Sequence, residues 1–215
     1  MELPSQPASP LIASTLAVLK AAREQGFEIN KTKLAKLLYM ADLSAVESGD
    51  VPISGATWRW DNYGPYDAAL ARAEYELADS RLIERRDGRL SDEYGPCLLT
   101  LLLDIDDPLP DDHMKIIRDT VRRYGGKTAS ALRELSYKTA PMMEAQVGGE
   151  RGVLLDLSRA RRRKQVKALL ARAKARRAQR PPQETDPGVA EELLAELAAN
   201  SESIRRANEK VLGDQ

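Results

Sequence analysis

Residues Lys31 to Pro65 read KTKLAKLLYMADLSAVESGDVPISGATWRWDNYGP, and this stretch decides the fold. Leu34, Leu37, Leu38, Ala41 and Val46 recur at spacings that place most of them on one face of a helix. Asn30 or Thr32 offers a side-chain oxygen to cap the first free amides. Gly49-Asp50 stops the helix. Val51-Pro52-Ile53 reads as a short edge segment, because Pro52 has no N–H to give to a sheet ladder. Thr57 to Trp60 alternates like a strand, which points Trp58 and Trp60 to the same side. Tyr63-Gly64-Pro65 then turns the chain.

Outward from this stretch the pattern stays helical. Residues 1–10 are Pro-rich and irregular, and Ser9-Pro10 starts a first helix that ends near Gly26. A third helix is expected from Tyr66 to Ser80. Leu82 to Leu90 carries a hairpin signal, with Asp87-Gly88 supplying the turn. Helix followed by basic hairpin is the order of winged-helix modules. Tyr94 to Leu103 is apolar and suits a strand or a short helix. DIDDPLPDD, residues 104–112, is a loop, and Asp111 or Asp112 caps a fourth helix to about Tyr124. Gly125-Gly126 breaks it. A fifth helix runs from Thr128 to Tyr137 with Leu132 and Leu135 buried, and Ala140-Pro141 ends it.

The expected organisation is an irregular N-terminus at 1–10 and a mainly α domain with a small β-hairpin over 11–155. A basic helix follows at 156–180, then a Pro-rich linker at 181–187 and an amphipathic helix at 188–215. In the last segment Ala190, Leu197, Ile204 and Val211 recur every seven residues, which suits packing against one other helix.

The totals set limits on chemistry. In 215 residues there are one Cys, Cys97, and one His, His113. No intramolecular disulfide and no Cys/His zinc site can be built from them. The net charge is zero, but it is unevenly placed. Residues 1–150 carry 18 Lys and Arg against 24 Asp and Glu, residues 151–180 carry 12 against 1, and residues 181–215 carry 3 against 8. No apolar run reaches the ~20 residues of a membrane span. The N-terminus lacks the basic start of a signal peptide. The expected compartment is the cytoplasm, with no membrane partner.

Each eye-catching group has a plain counterpart. Trp58 and Trp60 could form a ligand platform, but in a chain with one Phe they serve better as core or interface anchors. Arg85, Arg86 and Arg89 could form a DNA-reading wing. The helix before them is acidic, with Glu74, Glu76 and Asp79, which favours a wing kept as scaffold. The run Arg159 to Lys164 could bind phosphates, but a solvated face neutralised by the acidic remainder is the simpler reading. His113, between acidic neighbours, reads as a surface histidine, and Cys97 as a small buried hydrophobe. There is no Walker loop, no Gly-x-Gly-x-x-Gly and no His-Glu-x-x-His. No catalytic residue, metal or cofactor is expected.

Three stretches carry a family resemblance. They are Lys33 to Ala41; Gly49-Asp50-Val51-Pro52-Ile53 with Trp58 and Tyr63-Gly64-Pro65; and Leu132 to Tyr137 with Pro141. In this order, with a hairpin between the second and third, they resemble the Panacea domain of SocA-like antitoxins over roughly residues 10 to 150. The family's last motif usually reads Thr-His, then Pro-Trp. Here those places hold Ser136-Tyr137 and Pro141-Met142, so no role of that His or Trp carries over.

The resemblance implies a small helical domain that serves as the antitoxin of a two-gene toxin–antitoxin module, often linked to phage defence. It implies neutralisation by direct protein binding, and for a SocA-type member also delivery of the toxin to a AAA+ protease. The expected partner is a cognate protein toxin. Candidate contacts are Trp58, Trp60, Tyr63, Tyr66, Arg72, Arg161, Arg162, Arg163, Lys164, Leu197 and Ile204. A second copy through the C-terminal helix is a further candidate partner. The alternatives are a DNA-binding regulator of its own operon, using Arg85, Arg86 and Arg89, or a proteolytic adaptor.

Overall fold

The computed structural model describes residues 9–90, 93–179, 188, 191–192 and 194–202. The chain divides into two units, Met1–Lys167 and Ala168–Gln215.

The first unit is mainly α. Helix α1 (Pro10–Glu24) starts where the Ser9 hydroxyl accepts the Ile12 N–H, with Pro10 in the first turn, where its missing N–H removes no helical bond. Strand β1 (Ile29–Asn30) leads into α2 (Lys31–Ser48). Asn30 Oδ1 accepts the Lys33 N–H at 2.8 Å, and Gly49 ends the helix at φ +102°, a conformation that glycine adopts without penalty. Helix α2 is central. Leu34, Leu37, Leu38, Tyr39, Ala41 and Ala45 are all buried, and so are Lys36 and Asp42. Burial therefore extends beyond the single apolar face read from the spacing.

Two short strands, β2 (Arg59–Asp61) and β3 (Gly64–Tyr66), form a tight antiparallel pair next. Val51-Pro52-Ile53 is not a strand. Its backbone pairs with no ladder, and Ile53 is held by burial of its side chain. Helix α3 (Ala69–Asp79) buries Leu70, Ala73 and Leu77. Strands β4 (Ile83–Leu90) and β5 (Glu93–Leu101) follow, and β1 joins them in an antiparallel sheet of order β1-β5-β4. The ambiguous apolar run after Tyr94 is thus a strand.

The expected turn at Asp87-Gly88 is displaced. The register shifts between Asp87 and Arg89, but the strand continues to Leu90. Ile83, Cys97, Leu99 and Leu101 put their side chains into the core. Keeping that long inward-facing register outweighs the local Asp-Gly turn preference. The hairpin's connecting residues, 91 and 92, lie outside the described residues.

Helix α4 (Asp111–Tyr124) begins after Pro110. Asp111 and Asp112 stand in its first turn, facing the positive end of the helix dipole, and do not cap it as expected. Met114, Ile117 and Val121 pack into the core. The only Phe, Phe27, sits over Gly125, where an added Cβ would meet its ring at 2.5 Å. Helix α5 (Ala129–Tyr137) is capped by Thr128 and buries Leu132, while Leu135 is half-buried. Pro141 does not end helical structure. It lies in the first turn of another helix, α6 (Ala140–Gly148), the place where proline is tolerated.

Helix α7 (Ser158–Ala178) leaves the first unit and continues into the second. Ala160 is its one buried residue. In the second unit residues 194–202 are helical. Among the described residues no helix is long and apolar enough to cross a membrane.

Candidate functional site

The three stretches that carried the resemblance meet at one corner of the first unit. Lys36 is only 2% exposed and donates from Nζ to the Pro65 carbonyl at 2.7 Å. Burial pulls its pKa down to about 8, which the Asp61 carboxylate opposes and the Arg133 guanidinium assists. Gly64, beside it, has φ +95°. A Cβ there would lie 3.0 Å from Ser136 Oγ, 3.4 Å from Tyr137 Cε2 and 3.5 Å from Lys36 Nζ. Helix α2, the β2–β3 corner and the end of α5 therefore touch at a position where any side chain would be strained.

Farther along α2 the same three parts are bonded again. The Thr139 hydroxyl donates to the Ser136 carbonyl at 2.7 Å, which leaves its oxygen to accept the Tyr39 O–H at 2.8 Å. The rings of Tyr39 and Trp58 meet edge to face at 5.4 Å. Asp42, fully buried, accepts the Ser54 N–H at 2.9 Å, the Ser54 hydroxyl and Trp58 Nε1 at 2.7 Å. Burial pushes the Asp42 carboxyl's pKa up, and these bonds work against that rise. Trp60 Nε1 donates to the Tyr137 hydroxyl at 3.3 Å, with the two rings near perpendicular.

These polar groups hold the corner in place. Trp58 and Trp60 lie in the core beneath the surface of the corner and are not exposed as the contacts expected of them. At that surface Tyr63 is 66% exposed, Tyr66 is half-buried and Arg72 is exposed on α3. A shallow depression beside it is lined by Arg133, Glu134, Tyr137, Lys138 and Gln146.

Residues 151–155, which carried no motif, complete the corner. Val153 accepts the Trp60 N–H at 2.9 Å, the Gly152 N–H reaches the Trp60 carbonyl at 2.7 Å, and the Leu155 N–H reaches Trp58 at 2.9 Å. Arg59 Nη1 donates to the Gly152 carbonyl at 2.9 Å, and Arg151 lies over the Trp60 ring. The departing chain thus adds a third strand-like edge to β2. The only sequence signal for it was the apolar run Val153-Leu154-Leu155 between Gly152 and Asp156.

The basic helix is partly tied to its own domain. Arg163 donates to the Lys138 carbonyl at 3.2 Å, Lys164 to the Glu47 carbonyl at 3.2 Å, and Arg159 pairs with Glu144 at 2.6 Å. Arg161 and Arg162 are exposed. In the second unit Leu197 is exposed, and Ile204 lies outside the described residues.

The wing arginines differ from one another. Arg85 stacks on the Tyr75 ring at 3.9 Å and reaches the buried Glu74 carboxylate at 3.8 Å. Burial raises the Glu74 pKa, and Arg85 counteracts this. Arg86 pairs with Glu84 at 3.0 Å, and the Arg89 side chain is outside the described residues. His113 bonds Asp50 at 3.2 Å on the surface, and Cys97 is buried in β5. Among the described residues no three His, Cys, Asp or Glu side chains are grouped to hold a metal ion.

The first unit is thus mainly helical with a small antiparallel sheet, and a buried polar network fixes its exposed corner. Residues 34–141, half of the chain's length, match the family model described as Antitoxin SocA-like, Panacea domain, and the chain belongs to this family. That membership supports an antitoxin role. No curated protein and no solved structure matches the chain.

Proposed function

We propose that this chain is an antitoxin that binds a cognate protein toxin and neutralises it by covering its active or substrate-binding surface. The observation that carries the reading is the corner itself. All three family stretches converge on it, they use buried polar groups to fix it, and they leave Tyr63, Tyr66 and the Tyr137-lined depression at the surface. A rigid aromatic tip with nearby arginine is the composition of an interface hot spot. The protein acts by binding and catalyses no reaction. It works in the cytoplasm, and a link to phage defence fits the same reading.

The test is co-expression with the adjacent gene, scored by bacterial growth. The reading requires that the neighbour alone stops growth, that this chain restores it, and that a pull-down recovers both proteins. A harmless neighbour, or one that this chain does not rescue, would remove it. The toxin's half-life in the same cells separates occlusion from delivery to a protease, which would shorten it.

Winged-helix topology favours a second reading, a DNA-binding regulator of its own operon. Against it, Arg85 is engaged with Glu74 and Tyr75, and α3 presents Glu76 and Asp79. A gel shift on its own promoter that weakens steeply with salt would support this reading.

A further inference from the structure

We propose that the depression beside the corner receives a carboxylate from an acidic, partly apolar segment of the partner protein, seated against Arg133 and Lys138. This rests on the antitoxin reading for who the partner is, and it names the chemistry that the partner must present. Arg133, Tyr137, Lys138, Glu134 and Gln146 line the depression. Arg133 and Tyr137 are half-buried, and Lys138 is exposed. Lys20, Arg118 and Arg159, elsewhere on the domain, each meet a carboxylate within 3.3 Å. Among the described residues Arg133 and Lys138 meet none at ion-pair distance. Arg163 brings a further cation to the rim, donating to the Lys138 carbonyl at 3.2 Å and lying 3.5 Å from the Met143 sulfur. Lys36 stands behind. Burial lowers its pKa, Asp61 opposes this and Arg133 adds to it, so the Lys36 and Arg133 charges act on one another.

The backbone makes no use of the Arg133 and Lys138 charges. At the end of α5 the Ser136 carbonyl accepts the Thr139 hydroxyl, the Tyr137 carbonyl accepts Gln146 Nε2 at 3.0 Å, and the Lys138 carbonyl accepts Arg163. The carbonyls that would repel an anion at a helix C-terminus are therefore already bonded. The lining sets Arg133 and Lys138 against Glu134, a balance that suits the single charge of a carboxylate better than the nearly double charge of a phosphate group. The surroundings are apolar as well. Met143 and Val147, four apart on α6, are both exposed, Val147 at 89%, and Tyr63 projects from the corner. Aromatic, Met and Arg side chains together are the composition of a protein interface, and they give a phosphate backbone little to bind. In the acidic C-terminal segment of the same chain every described residue between 188 and 202 is exposed, as a segment seated in a depression would not be.

The experiment has a peptide arm and a partner arm, both on the full-length chain. The probe is the capped peptide Leu-Glu-Leu, with Leu-Gln-Leu and inorganic phosphate for comparison, followed by NMR at the Gln146 side-chain amide. Leu-Glu-Leu should shift this signal saturably and bind at least ~10-fold more tightly than Leu-Gln-Leu. Arg133→Gln with Lys138→Gln should abolish the difference. In the partner arm, Arg133→Glu with Lys138→Glu should weaken binding of the adjacent gene's product at least ~10-fold, with unchanged thermal melting as the check on folding. Lys138→Glu alone, at an exposed position, repeats the test without disturbing the half-buried Arg133. No shift with Leu-Glu-Leu, an equal response to Leu-Gln-Leu, tighter binding of phosphate, or unchanged partner affinity after charge reversal overturns the proposal. So does a variant with Glu191→Gln, Glu192→Gln and Glu196→Gln that binds the peptide much more tightly than the wild type, because the chain's own acidic segment is then the occupant. If the adjacent gene's product does not bind the chain at all, the antitoxin reading falls, and the peptide arm still decides the carboxylate site.

Discussion

Lys36 Nζ lies 2.7 Å from the carbonyl oxygen of Pro65, with the Lys36 side chain sealed inside the domain. Its folded-state pKa of about 8 is below the ordinary lysine value of 10.5. Between these two values the unfolded chain holds more protons than the folded one, so folding stability must rise with pH across that window. From pH 7.5 to 9.5 the wild type should gain on the order of 1–2 kcal/mol relative to Lys36→Met, read from urea midpoints. Parallel pH profiles for the two proteins would show that the ammonium is not held where it costs stability.

Asp42 is the acceptor on which Trp58 and Ser54 depend. Asp42→Ala leaves the buried indole N–H and the Ser54 amide without partners, and should lower stability by about 2–4 kcal/mol. Asp42→Asn keeps one carbonyl acceptor and should lose less. Equal losses for the two variants would mean that packing, not hydrogen bonding, sets the requirement here.

Gly64→Ala combines a positive φ with a Cβ at 3.0 Å from Ser136 Oγ. The expected loss is about 1–3 kcal/mol, together with weakened partner binding as the corner shifts. Ser136→Ala in the same background should relieve part of the clash. A Gly64→Ala protein with wild-type melting behaviour would contradict the packing described.

Tyr63 separates folding from binding because it is exposed. Tyr63→Ala should change stability by less than about 0.5 kcal/mol. Affinity for the cognate toxin should fall at least ~10-fold. Unchanged affinity would place the interface elsewhere. Reversing Arg161 and Arg162 tests the tail separately, since neither shares the domain bonds made by Arg163 and Lys164.

Arg85→Ala would remove the stronger of the two cations acting on the buried Glu74, leaving Lys31, and should destabilise by about 1–3 kcal/mol. Adding Glu74→Gln should recover part of this. A loss of promoter binding with no loss of stability would instead favour the DNA reading.

Local rules read well where a local device sets the outcome. Ser9, Asn30, Thr128 and Gly49 mark the helix ends that their chemistry suggests. They failed where a distant partner decides. Asp87-Gly88 looks like a turn, but β5 holds β4 in register past it. At Pro141 the miss is local: α5 ends at Tyr137 as read, and the proline then sits in the first turn of α6. The site was legible in its parts: Lys36, Trp58, Gly64 and Ser136 all stood in motifs. Their junction was not, because a buried lysine facing a carbonyl 29 residues later has no periodicity to betray it.

The strand-like edge at 151–155 has a practical meaning for transplanting this domain. The family match ends at residue 141, and α1 precedes its start at residue 34. Both flanks nevertheless belong to the folded body: Leu16, Val18 and Leu19 on one side, Leu155 and Ala160 on the other, are buried. A graft cut at the recognisable limits would carry the corner without α1, which packs on α2, or the edge that closes β2. The segment matched by the family is therefore shorter than the folded body, which reaches at least to Arg163 and Lys164, and exchanging corners between relatives calls for moving these flanks with them.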